Sequence, residues 1–283
     1  MSKRSIGEII DAAGLHPDFL SRDFWVHSIS GKGSKTYDMT ELDLYREEDL
    51  SKIRAHNQII KKKIAKLSDH EKGVLRTHVW ATLSHEAAFF WINEEKWVES
   101  THRNGSSPAR IKHVTEKIVD SKAKKICELG VNCGAWTSLH NIYFKHVLPE
   151  DYVVCDLVPE FSHLHLSLGV DSYICNLARE KTSEIIAEKF DLIIITEVIE
   201  HLADGGEGIR LIQDALSMLN PMGSILVSYP KNVSNIVSMD SHPLGHHYQP
   251  KEQWINAEFS DMFEETEMSN DGSRLYHFFR KLK

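Results

Sequence analysis

Apolar residues recur along the first hundred positions at the three- and four-residue steps of amphipathic helices. Ile6, Ile9, Ile10 and Ala13 share one face of a short segment that opens on Ser5 and Glu8, spaced as a capping box, and stops at Gly14. Leu50, Ile53, Asn57, Ile60, Ile64 and Leu67 predict a long amphipathic helix, with the Lys61–Lys63 run as its solvated face. Ser68 and Glu71 form a second capping box, ahead of a helix that carries Leu75, Val79, Leu83, Ala87 and Phe90 and reaches Trp91 and Trp97. Residues 21–46 lack a clear period, and Gly31 and Gly33 mark a loop.

The pattern changes after the turn-rich HRNGSSP stretch at 102–108. Ser107 caps a helix with Pro108 at its first position, lined by Ile111, Val114, Ile118 and Val119. From there short apolar runs alternate with helical segments. Strands are expected at Lys125–Leu129, Tyr152–Asp156, Ser172–Asn176, Phe190–Thr196 and Ser224–Tyr229, with helices starting near Gly134, Pro159, Arg179 and Gly206. The last of these helices is expected to stop at Asn220-Pro221. Such alternation predicts an α/β fold, a parallel sheet with helices on both faces. A helix at Pro250–Glu258 then leads to Met262–Met268 and Arg274–Leu282, which flank Asn270-Asp271-Gly272 and read as a hairpin. The chain therefore divides into a mainly helical region, 1–105, and an α/β domain, 106–283.

Composition narrows this little. The 283 residues allow one large domain or two small ones, and a net charge of −8 gives no push toward nucleic acid or an anionic membrane. The longest apolar run, Leu192 to Ile195, is far too short to span a bilayer, and MSKRSIGEII breaks into Gly and Glu before any signal-peptide core. Cys127, Cys133, Cys155 and Cys175 include no C-x-x-C pair and read as reduced core cysteines, so a cytoplasmic protein is expected. His78 and His85 lie seven apart, about 10 Å along a helix, too far for one metal.

The chemistry centres on KICELGVNCGAWT, residues 125–137. A strand that ends in glycines and feeds a helix brings backbone close to a nucleotide-like ligand and offers it N–H groups. Asn132 and Cys133 stand where a dinucleotide-binding G-x-G-x-x-G would have glycine, which argues against a nicotinamide-dependent oxidoreductase. The form E-x-G-x-x-x-G resembles motif I of the class I S-adenosylmethionine-dependent methyltransferases. FDLIIITEVIEHL, residues 190–202, resembles that family's motif after strand four, and the terminal hairpin resembles its sheet, whose seventh strand runs antiparallel. The resemblance covers roughly residues 107–283.

It implies a seven-stranded Rossmann-like sheet and S-adenosyl-L-methionine as methyl donor. It places Glu128 at the methionine amino group of the donor and Asp156 at the ribose hydroxyls, where a helix-capping Asp is the alternative, with Gly130, Asn132, Gly134 and Leu157 as further cofactor-binding residues. Asn176 would stand at the adenine amine, with the backbone of Cys175 or Leu177 at a ring nitrogen, and Glu197 at the edge of the methyl-donor pocket. If Thr196–Leu202 is helical, Glu197, Glu200 and His201 share a face by i, i+3, i+4 spacing and could hold Mg2+ or another divalent cation. Two metal-using branches resemble this, the catechol O-methyltransferases of the ubiquinone pathway and the small-RNA terminal 2′-O-methyltransferases. In metal-free members His201 acts as a base or packs. His242, His246, His247 and Tyr248 fall in a long polar loop expected to roof the substrate pocket, and His246 or His247 is a candidate general base or further ligand. Trp136 reads as packing beside the donor pocket. The reading is methyl transfer to an oxygen or nitrogen of a small molecule, with a pocket histidine (His201, His246 or His247) removing the acceptor proton and Glu197 beside it. A metal-assisted enzyme acting on a vicinal diol, in a catechol or an RNA terminal ribose, and a non-catalytic scaffold are the alternatives. The N-terminal helices would form a lid or a homodimer surface.

Overall fold

The computed structural model describes residues 4–15, 47–92, 108–131, 134, 137–202, 205–231, 263–270 and 274–282. The sheet is built from β1 (Ile126–Leu129), β2 (Tyr152–Asp156), β3 (Asp171–Ile174), β4 (Phe190–Thr196), β5 (Leu219–Pro230), β6 (Phe263–Asn270) and β7 (Arg274–Lys281). Their order across the sheet is β3-β2-β1-β4-β5-β7-β6. The first five strands run parallel, and β7 runs antiparallel to both β5 and β6. This is the expected α/β architecture with an antiparallel C-terminal pair. The order reverses between β1 and β4, the kind of switch point beside whose carboxyl ends ligands bind in open α/β sheets.

Eight helices accompany the strands among the described residues: α1 (Ile6–Ala13), α2 (Glu47–Ala65), α3 (Asp69–Ile92), α4 (Pro108–Ser121), α5 (Ser138–Tyr143), α6 (Pro159–Leu168), α7 (Thr182–Ile185) and α8 (Gly205–Ser217). None is long and apolar enough to cross a membrane. The two-residue period of the strands sorts side chains between the faces. Cys127, Leu129, Ile193, Ile195, Ile225 and Val227 pack with Leu211, Ile212, Ala215 and Leu216 of α8. Ile126, Val154, Leu192, Ile194 and Leu226 pack with Val114 and Ile118 of α4 on the other side. Because both faces are covered, the central strands read as continuous apolar runs. Each such Leu or Ile contributes about 1.5–3 kcal/mol on burial.

Among the described residues the N-terminal helices share their core with the rest of the chain. Ile9, Ile10 and Ala13 of α1, Ile60 and Ile64 of α2, and Leu75 and Val79 of α3 share one apolar cluster with Ile111, Leu139, Leu164, Leu166 and Leu168. That cluster spans both sides of the boundary expected at residues 105 and 106. Both capping boxes form: Ser5 Oγ accepts the Glu8 N–H while Glu8 accepts the Ser5 N–H, and Ser68 and Glu71 repeat the arrangement.

Three expectations are corrected. The helix after the glycine turn begins at Ser138, not near Gly134, and is six residues long. Strand β3 is Asp171–Ile174, so Asn176 lies two residues past its end. Asn220-Pro221 does not end a helix: α8 ends at Ser217, and β5 already runs from Leu219. The β4–β5 register shifts there, so that Leu192 pairs with Ser224 while Phe190 pairs with Leu219. Met222 turns into a left-handed conformation at φ 66°. The segments around Ser107, 21–46 and Pro250–Glu258 lie outside the described residues.

Candidate functional site

The glycine turn is fixed first by its own backbone. The N–H groups of Gly130 and Val131 both donate to Cys155 O, at 2.8 and 3.2 Å, which ties the exit of β1 to the end of β2. Gly130 has φ 77°, and a Cβ there would fall 2.4 Å from Val198 Cγ2. Gly134 has φ 72°, and a Cβ would meet Ser138 Oγ at 2.0 Å and His165 Nε2 at 2.8 Å. His165 is fully buried. Its Nδ1 lies 2.7 Å from Phe161 O and its Nε2 lies 2.8 Å from Ser138 Oγ. A carbonyl only accepts, so Nδ1 carries the proton and Ser138 donates to Nε2. Burial lowers the His165 pKa to about 4, against the opposing pull of the Phe161 carbonyl. This pair buttresses the glycine turn, and the sequence reading did not single it out. Asn132, Cys133 and Trp136 lie outside the described residues.

Glu128 is the penultimate residue of β1, as expected. It is buried within β1 at 1% exposure, and Tyr152 donates to its Oε2 at 3.1 Å. Burial, then the Glu128 charge beside it, pushes the Tyr152 phenol well above its ordinary pKa. The remaining cysteines, Cys127, Cys155 and Cys175, are free and buried, and burial raises the Cys127 thiol.

Asp156 closes β2 and is half-buried. Its Oδ1 accepts the Val158 N–H at 3.0 Å, a turn contact two residues on. Val158 is itself the N-cap of α6 and that cap has no side-chain hydrogen bond, so the helix-capping alternative does not form. A carboxylate offers about four acceptor positions, so this contact is compatible with further donors. Leu157 is half-buried beside it. Beyond β3, Cys175 donates its N–H to Asp156 O at 3.0 Å. Asn176 Oδ1 accepts the Ala178 N–H at 3.1 Å, and Glu180 Oε2 accepts the Asn176 N–H at 2.8 Å. Among the described residues none accepts the Leu177 N–H, while Leu177 O is held by Arg210 at 2.5 Å.

At the end of β4 the helical face assumed for a metal does not form. Thr196–Leu202 is not an α-helix: Ile199–His201 forms a single 3₁₀ turn, and Glu197 is left-handed at φ 57°. The i, i+3, i+4 face on which Glu197, Glu200 and His201 were to meet therefore does not form. Glu197 instead accepts from Arg274 Nε at 2.8 Å and from Ser228 Oγ at 3.2 Å. Its carboxylate and Arg274 are mostly shielded, at 15% and 9% exposure. Glu200 is buried and His201 half-buried. Among the described residues no group of His, Cys, Asp and Glu could hold a metal ion. Arg274 is a further residue that the sequence does not announce, since it lies 77 positions from Glu197. His242, His246, His247 and Tyr248 lie outside the described residues.

The sheet order, with its reversal between β1 and β4, and the antiparallel β7 together decide the architecture. This is the Rossmann-like α/β arrangement with an antiparallel C-terminal strand pair that the resemblance to the class I methyltransferases implies. No protein-family model matches the chain, and no curated protein matches it. Solved structures do. The N-methyltransferase NodS from Bradyrhizobium japonicum WM9, in complex with S-adenosyl-L-homocysteine, is 18% identical, with 62% of this chain and 87% of that one covered and a TM-score of 0.47. An O-methyltransferase family protein from Burkholderia thailandensis is 14% identical over 98% of this chain and 88% of that one, also at 0.47. Human N-acetylserotonin methyltransferase, in complex with S-adenosylmethionine, is 15% identical over 84% of this chain and 68% of that one, at 0.47. Likenesses this distant leave the reading of the site to the chain's own residues.

Proposed function

We propose that this protein is an S-adenosylmethionine-dependent methyltransferase that acts on an oxygen or nitrogen of a small molecule. The observation that carries the reading is the set of groups at four neighbouring strand ends. They comprise the close-packed left-handed Gly130, the Asp156 carboxylate, the Leu177 N–H without an acceptor among the described residues, and the Glu197–Arg274 pair. These groups fit a nucleoside. A carboxylate accepts from vicinal ribose hydroxyls, and a backbone N–H suits a ring nitrogen acceptor. The Asn176 oxygen already accepts the Ala178 N–H, so contact with an adenine amine would use its second lone pair.

The donor supplies an electrophilic methyl group on a sulfonium. The protein's work is then to hold donor and acceptor in line and to take up the acceptor proton. Gly130 and Gly134 let the turn close on Val198 and on the Ser138–His165 pair, which sets the path of the backbone beside the donor in this reading. Asp156 and the 175–177 segment fix its nucleoside end. Arg274 fixes the Glu197 carboxylate at the end of β4, where it can orient a donor or acceptor group without a metal. His201 is the described candidate for proton acceptance, since imidazole titrates near neutrality.

The test is incubation of the full chain with methyl-labelled S-adenosylmethionine and, separately, small-molecule and RNA fractions. Label in a small-molecule product, lost with Asp156→Ala, is the expected result. Label in RNA alone would overturn the acceptor class, and label in neither would count against the enzyme.

A further inference from the structure

Strand β3 is the outer strand on its side of the sheet, so one row of its backbone groups has no strand partner. Helix α2 packs against it. Arg54, Asn57 and Lys61, at i, i+3 and i+7, form a row along that edge. Arg54 Nε donates to Ile174 O at 3.0 Å, and Asn57 Nδ2 donates to Ser172 O at 3.4 Å. Lys61 pairs with Asp171 and sits 4.9 Å from the centre of the Tyr173 ring.

Arg54 reaches further than the edge. Its Nη2 pairs with Glu180 Oε2, the same oxygen that accepts the Asn176 N–H at 2.8 Å. From the other side Arg210 of α8 donates to Leu177 O at 2.5 Å and to Glu180 O at 2.8 Å. The loop 175–181 is therefore held between two arginines that lie far apart in the sequence. Arg54 and Glu180 are 31% and 22% exposed, so solvent screens the pair only in part. Charge, direction and a shared acceptor all converge on the backbone of Asn176.

We propose that Arg54 is a positioning residue for the base of the methyl donor, and that the N-terminal helix α2 thereby completes the donor site. The inference rests on the methyltransferase reading. In that reading Asn176 and Leu177 face the adenine edge, and Arg54 sets their position through Glu180. Arginine suits the task because one guanidinium serves two acceptors at once, Ile174 O and Glu180, in a fixed planar geometry.

The experiment is calorimetric titration of S-adenosylhomocysteine and S-inosylhomocysteine, which lacks the adenine amine, into the full chain and three variants. Wild type is expected to prefer the adenosyl compound. Arg54→Met should weaken that compound about tenfold, equivalent to about 1.4 kcal/mol, and weaken the inosyl compound less, so that discrimination collapses. Glu180→Gln, which keeps an acceptor but not the charge, should move the ratio in the same direction, and it carries the test if Arg54→Met does not fold. Lys61→Met breaks the contact at the far end of the row and should lower the melting temperature while leaving the ratio unchanged. An unchanged ratio in Arg54→Met, or an equal loss of discrimination in Lys61→Met, overturns the positioning role. Wild type that binds neither compound overturns the methyltransferase reading itself, a separate result.

Discussion

Gly130 and Gly134 are constrained in different ways, and each constraint can be tested on its own. At Gly130 an added Cβ meets Val198, and the left-handed backbone is unfavourable for any residue with a side chain. Gly130→Ala should cost about 1–2 kcal/mol from the backbone alone, more with the contact, as read by urea denaturation, and should abolish donor binding. At Gly134 the obstacle is the Ser138–His165 pair. That pair also sets a pH dependence. The folded-state pKa of His165, about 4, lies below the unfolded value near 6.5, so folding favours the neutral ring. Its contribution is fully present above pH 6.5 and is lost as pH falls from there through 4. A shift of this size corresponds to about 3 kcal/mol. Stability measured at pH 7.5 and pH 4.5 should therefore fall, and His165→Gln should flatten the fall. A slope remains in that variant, because burial also lowers the His140 pKa to about 4. An equal slope in wild type and His165→Gln would contradict the assignment. Glu197 adds a third residue-scale test. Removing Arg274 leaves a mostly buried carboxylate with its strongest partner gone. Arg274→Met should cost about 2–3 kcal/mol, more than Glu197→Gln, since the loss of a charged hydrogen bond in a shielded place is the costlier change.

Elements were legible where their determinants are local. The capping boxes at Ser5 and Ser68, the apolar period of α2, and the bounds of β2 and β4 all follow from residues a few positions apart. Elements were misread where a distant partner decides. Asn220-Pro221 carries a helix-stop signal, yet Asn220 donates to Asp191 at 2.8 Å and the segment enters β5 beside β4. The Thr196–Leu202 stretch has helical spacing, yet Ser228 and Arg274, contributed by β5 and β7, draw Glu197 out of it. Asn57 illustrates the same limit inside a correctly placed helix. It sits in the apolar stripe of α2 because Ser162 donates to its Oδ1 at 3.0 Å while its Nδ2 serves the β3 edge. Asn57→Ala should cost about 1–3 kcal/mol, since it leaves buried partners unsatisfied. Asn57→Leu would not restore it. Thermal unfolding of both variants checks this.

At the scale of the molecule, the N-terminal helices belong to the same packed body as the α6 face of the sheet. Their apolar residues and those of α6 form one cluster, and their polar ones cover the β3 edge. A fragment of residues 106–283 should therefore expose Leu164, Leu166 and Leu168 together with an open strand edge, and should associate or bind a hydrophobic dye. A monomeric fragment with the melting temperature of the full chain would contradict this. The helical character of the N-terminal region was legible, but its attachment was not, because an amphipathic stripe does not say what it faces. The strand-end residues Asp156 and Glu197 were legible through the family resemblance, while the residues that hold Glu197, Arg274 and Ser228, were not. The central claim is that the strand ends of β1 to β4 bind the methyl donor through its nucleoside. Calorimetric titration of S-adenosylmethionine into the purified full chain, beside Asp156→Ala, tests it most directly. The account predicts one molecule bound per chain and at least about a tenfold loss, about 1.4 kcal/mol, in the variant; no binding to the wild-type chain, or equal binding to both, would contradict it.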